Sequence, residues 1–182
     1  MDRLTPSPGS VAEAGDPAMM DAAIELAREW LRDGRGKYCA AIVVKDGEIV
    51  GRGTNTVDAT HDPTAHCEIN AIRDATQRLG TSNLSGCDMY VTFESCSLCV
   101  AAIWWSRLDR VFYGASFCDG DPRFELDAHD DLRDEIGRAP GDRRRPYRSL
   151  RGREAMQMFA EWWDRSEPEP PWLEPRRGEQ HQ

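Results

Sequence analysis

Apolar and polar positions along this chain repeat with two periods, and the change from one to the other marks out the elements. Met20, Ile24, Ala27 and Leu31 recur at helical spacing behind Asp16-Pro17, a capping residue followed by a first-turn proline, and Gly34 is the stop. Ala40 to Val44 and Ile49 to Gly53 are short β-prone runs joined through Asp46-Gly47, a strong hairpin signal. Thr54 to Pro63 reads as a loop. A second helix follows, with Ile69, Ile72, Ala75 and Leu79 on one apolar face. Met89 to Phe93 reads as a strand, Ser97 to Arg107 as a third helix and Arg110 to Tyr113 as a further strand.

Strands alternating with helices in this way imply an α/β layer architecture, its sheet holding parallel members covered by helices. Beyond Gly120 the pattern weakens. Asp127 to Ile136 predicts a short acidic helix and Gly137 to Ser149 a loop. Gly152 to Trp163 predicts a last amphipathic helix with Met156, Phe159 and Trp163 on one side. The expected organisation is a flexible tail over 1–15, one domain over 16–163, and a disordered Pro- and Glu-rich tail over 164–182.

Charge narrows the partners. The chain has 182 residues, a formal charge of −9 and a pI near 5.0. A nucleic-acid partner needs a basic footprint, yet the only lysines are Lys37 and Lys45. Arg143-Arg144-Arg145 lies in a Pro/Gly-rich stretch and reads as a solvated loop. A small uncharged substrate is the expectation, and nucleic acid is not. No stretch approaches the roughly 20 apolar residues that span a bilayer, and no signal-peptide run opens the chain. The six cysteines include a C-x-x-C pair and do not form a disulfide framework in a chain this long, so a reducing cytoplasm is expected.

The chemistry concentrates in His66-Cys67-Glu68 and Cys96-Ser97-Leu98-Cys99. His66, Cys96 and Cys99 supply three ligands for a zinc ion with one position open, the pattern of a catalytic rather than a structural site. Glu68 is a carboxylate that need not be a ligand. Cys96 and Cys99, three residues apart at a helix opening, project from one side, and the helix N-terminus favours their thiolates. On an ideal helix His66 and Glu68 would diverge by roughly 200°. They share a cavity only at the very start of the second helix, where Pro63 places it. Zinc brings the pKa of a coordinated water to about 7. Glu68 then takes the water proton, passes it to a ring nitrogen and protonates the departing ammonia. Taken singly, His66 is equally a loop histidine, and Cys96 and Cys99 equally buried thiols or a redox pair. A closed structural site with Cys67 as fourth ligand is a further alternative. Cys39, Cys87 and Cys118 read as small core residues.

The run Asn55…Asp62-Pro63-Thr64-Ala65-His66-Cys67-Glu68-Ile69-Asn70-Ala71-Ile72-Arg73, with Cys96-Ser97-Leu98-Cys99-Val100-Ala101-Ala102-Ile103, resembles the cytidine-deaminase-like superfamily. Within it, Trp104-Trp105-Ser106-Arg107 and Val111-Phe112-Tyr113-Gly114 are most similar to bacterial guanine deaminases, over roughly residues 17 to 163. The resemblance implies a three-layer α/β/α fold with a mixed sheet of about five strands. It also implies one zinc per chain on His66, Cys96 and Cys99, and a homodimer whose C-terminal segment can swap between subunits. Glu68 matches the proton shuttle, Asn55 an asparagine on the substrate ring, Trp105 an aromatic residue against the base, and Asp127 an acid at the ring edge. For Trp105 the bland alternative is helix core packing.

Three departures stand out. Ser95 replaces a proline, Cys67 an alanine, and Phe124-Glu125-Leu126-Asp127 stands where a Gly-Phe-Asp-Asp run is usual. The implied reaction is hydrolysis of guanine to xanthine and ammonia. Alternatives are deamination of another amino-heterocycle (cytosine, a nucleoside, a pterin, a triazine) or of tRNA adenosine, whose motif also carries a Ser-Arg pair like Ser106-Arg107. A zinc-binding protein without turnover is the alternative from another class.

Overall fold

The computed structural model describes residues 15–34, 39–116, 128–139, 142–145 and 147–163. The chain divides into two units, Met1–Asp134 and Glu135–Gln182. Helix α1 (Pro17–Arg32) begins as predicted, Asp16 Oδ1 accepting a hydrogen bond from Ala18 N at 2.9 Å. It is followed by β1 (Ala40–Lys45), β2 (Glu48–Thr54), α2 (Val57–Thr60), α3 (Cys67–Leu79), β3 (Cys87–Phe93), α4 (Ser97–Ser106) and β4 (Arg110–Ala115). α5 (Ala128–Gly137) and α6 (Gly152–Trp163) complete the series. The predicted loop 54–63 differs in one respect, since it contains the single turn α2.

The sheet order is β2-β1-β3-β4, with β1 antiparallel to both neighbours and β3 parallel to β4. Among the described residues the sheet has four strands, not about five. β4 is one of its two edge strands, and five of its six residues are exposed. Asp46 and Gly47 both take positive φ, 51° and 82°, as a tight hairpin turn between right-twisted strands requires.

β1 is buried at every position but its last because helices cover both faces of the sheet. Ala41 and Val43 face one way and pack with Met89, Val91 and the α3 residues Cys67, Ala71 and Ala75, with Ile103 of α4 against them. Ile42, Val44 and Tyr90 face the other way, onto Ala23 and its neighbours on α1. These two cores are the α/β/α layers. Burial on α1 centres on Ala23 and Ala27, while Leu31, predicted on the inner face, is 49% exposed. In the second unit Tyr147, Leu150, Met156 and Met158 are exposed, and the Arg143 guanidinium lies 5.0 Å from the centre of the Tyr147 ring. The helix over 152–163 has its predicted bounds; the side chains of Phe159 and Trp163 lie outside the described residues, as do Cys118 and Asp127.

Candidate active site

Two helix openings hold the chemistry. His66 is the N-cap of α3 and Cys96 the N-cap of α4, each with extended backbone (φ −69°, ψ 158° and φ −71°, ψ 168°). Neither side chain caps its own helix. The extended geometry at His66 resolves the spacing problem posed by the sequence: His66 leaves the chain before helical rotation starts, and Glu68 follows within the first turn. Turns through Asp62 set the approach, with Thr64 N donating to Asp62 Oδ1 (2.8 Å) and His66 N to Thr64 O (2.8 Å).

His66 Nδ1 lies 3.5 Å from Cys96 Sγ and 3.5 Å from Cys99 Sγ, and the two sulfurs are 3.6 Å apart. A tetrahedral zinc, with bonds of about 2.3 Å to sulfur and about 2.0–2.1 Å to nitrogen, spaces such donors roughly 3.5–3.8 Å apart. The three donors therefore have the spacing of one face of a zinc tetrahedron and would fit that ion. Cys99 is fully buried, and Cys96 and His66 less so.

Without metal the two thiols divide one proton between them. The Cys99 thiol, as hydrogen-bond partner, holds Cys96 down to about 3 despite burial, and His66 adds to this. Cys99 is pushed up by the same contact and by burial, and the Glu68 carboxylate contributes. His66 is raised above the usual imidazole range, first by its hydrogen bond with Cys96.

Glu68 is buried, at 4% exposure, beside this triangle and outside the three-donor cluster. Cys67 is not a fourth ligand. It lies in the core under β1 and β3, and its Sγ donates to Glu68 Oε2 at 3.0 Å. Its thiol is held well above the ordinary range by contact with Cys39, by burial and by Glu68. The sequence marked Cys67 as a departure and as an alternative fourth ligand, and nothing in it indicated that the sulfur would reach the carboxylate next to it.

Asn55 ends β2. Its backbone N donates to Cys39 O (3.2 Å), and its Oδ1 accepts from Val57 N (3.2 Å), so its amide NH2 is the end left for a ligand. Trp105 stands six residues beyond Cys99 on α4, about 9 Å along the axis, and is 74% exposed, so it does not pack as helix core. No helix among the described residues is long and apolar enough to cross a membrane.

Residues 14–115 match the family model for the cytidine and deoxycytidylate deaminase zinc-binding region. Guanine deaminase from Bacillus subtilis is 36% identical over 140 residues, 77% of this chain and 88% of that protein. A crystal structure of guanine deaminase from Bacillus subtilis superposes with a TM-score of 0.76 and 31% identity, covering 86% of this chain and 98% of that one. A tRNA-specific adenosine deaminase from Aquifex aeolicus is 47% identical, but over 75 residues only, 41% of this chain and 50% of that protein. The zinc-spaced triangle and these likenesses converge: the chain is a zinc-dependent hydrolytic deaminase acting on C–N bonds, a member of the cytidine and deoxycytidylate deaminase zinc-binding family.

Proposed function

We propose that this enzyme converts guanine and water to xanthine and ammonia. The observation that carries the reading is the buried Glu68 carboxylate beside a three-donor triangle of tetrahedral spacing. His66, Cys96 and Cys99 hold zinc, which when bound supplies a Lewis acid and an acidified water. Glu68 would take one proton from the attacking water and give it to a ring nitrogen, then move the second, from the hydroxyl now on the ring carbon, to the amino group so that ammonia leaves. The Asn55 amide orients the ring, and Asp127 serves as the acid at the ring edge. The choice of guanine is supported by the extent of the likeness to a guanine deaminase, which runs well past the metal-binding region.

The working form in this reading is a homodimer with an exchanged C-terminal segment. Val100, Trp104 and Trp105 on α4 and Val111 and Tyr113 on β4 are exposed apolar residues of the kind a second subunit covers. So are Leu150, Met156 and Met158 in the second unit. Trp105, exposed on α4, stacks against the substrate ring. A reducing cytoplasm suits Cys39, Cys67, Cys87, Cys96 and Cys99, all free thiols.

Ammonia release from guanine, adenine, cytosine, guanosine, cytidine, ammeline and pterins, together with a tRNA anticodon stem, tests the reading. Turnover of guanine alone supports it. Turnover of the tRNA, in line with the 47% local identity, replaces it, and the acidic charge of −9 argues for the first outcome.

A further inference from the structure

Strand β2 reaches the first turn of α3 because it presents glycines, Gly51 and Gly53, where the two meet. A Cβ on Gly51 would sit 2.5 Å from Ala71 O, and one on Gly53 would collide with Cys67 O and Ala71 N. This close approach sets Asn70, one turn into α3, against the end of β2. Its Nδ2 lies 2.9 Å from Thr54 O, 2.9 Å from Thr56 Oγ1 and 3.3 Å from Ala65 O. Its Oδ1 turns instead to Arg73, accepting from the guanidinium at 3.4 Å.

The three acceptors have a pattern. Thr54 and Thr56 flank Asn55 on either side, and Ala65 immediately precedes His66. The two arms are also joined to each other, since Thr56 N donates to Ala65 O at 3.0 Å. One side-chain amide therefore ties the segment carrying the ring-binding asparagine to the segment carrying a metal ligand. We infer that Asn70 is a positioning residue, which fixes Asn55 relative to the metal triangle and so sets substrate affinity. The inference rests on the reading of Asn55 as a substrate contact. His66 is held independently, as the N-cap of α3 and by the turns through Asp62. Loss of the tether therefore falls on Asn55 more than on the metal.

A double-mutant cycle on the zinc-loaded, full-length enzyme tests this, because residues acting through one another give non-additive effects. Asn70→Ala is expected to raise KM for guanine about tenfold, the scale of one or two lost hydrogen bonds, with zinc content unchanged and kcat within about threefold. In an Asn55→Ala background the same substitution should add less than about twofold. A full tenfold there overturns the inference and leaves Asn70 a general structural residue. Thr56→Val keeps the shape and removes one acceptor, so it serves should Asn70→Ala not fold. It is expected to raise KM about threefold, and an unchanged KM overturns the inference. Hydrogen exchange separates failure of this inference from failure of the substrate reading. Asn70→Ala should speed exchange across residues 54–66 and leave β1 and β3 protected, whatever the substrate proves to be. Unchanged exchange over 54–66 means that no tether exists.

Discussion

The sulfur of Cys67 lies 3.0 Å from Glu68 Oε2, so the carboxylate assigned to proton transfer is held by the residue next to it in sequence. Both residues are buried, Cys67 at 1% and Glu68 at 4% exposure. Retention of the proton on Cys67, favoured by Cys39, burial and Glu68, makes the thiol the donor. Cys67→Ser preserves a donor at that place and is expected to keep kcat within about twofold. Cys67→Ala removes the donor, and kcat should fall about fivefold as the carboxylate loses its fixed orientation. Equal kcat values for the two variants at saturating guanine would show that the contact does not matter to turnover.

Glu68 itself gives a sharper expectation. It stands outside the donor triangle, so Glu68→Gln should bind zinc as fully as the parent enzyme. Turnover should drop by roughly 10²–10⁴-fold, the range for a positioned acid–base group. Metal analysis beside ammonia release checks both halves. Zinc loss would make Glu68 a ligand, and retained turnover would remove it from proton transfer.

The seat of α3 on β2 can be tested through Gly53. A side chain there meets Cys67 O and Ala71 N, backbone atoms that cannot swing aside. Gly53→Ala is expected to cost about 3 kcal/mol, the upper end for overpacking, and to lower zinc affinity because α3 carries His66 at its opening. A urea denaturation midpoint within error of the parent would mean that the helix and strand are less closely set.

These tests bear on how much was legible in the sequence. The ligands could be read because their chemistry is local: His66 and Cys96 both start helices, and Cys99 follows within one turn of α4. The hairpin could be read because Asp46 and Gly47 tolerate the positive φ it needs. What Trp105 touches is not legible in that way, since a residue 74% exposed on α4 has no neighbour in its own helix to fix its role. Asn70 was also out of reach. Its partners Thr54, Thr56 and Ala65 come from a loop whose path depends on two glycines 17 and 19 residues upstream of it, and no local pattern encodes that path.

The proton content of the metal-free triangle predicts how zinc binding depends on pH. Cys96 is already a thiolate above about pH 3, Cys99 retains its proton, and His66 is raised above its ordinary value of 6.5 by Cys96. Zinc requires a neutral imidazole and two thiolates. Uptake should therefore release one proton, from Cys99, in alkaline solution. As pH falls through the raised His66 value the release should approach two. Apparent affinity should rise with pH by about tenfold per unit in the first regime and about a hundredfold per unit in the second. The imidazolium acts in the opposite sense on the metal-free fold. Its stabilisation is fully present below about 6.5 and is lost as pH rises through the raised value, so the pH range in which zinc binds best is the one in which the empty site is least supported. Calorimetric titration in buffers of different ionisation enthalpy counts the protons directly. Uptake without proton release across this range would mean that the three groups do not hold zinc as a set.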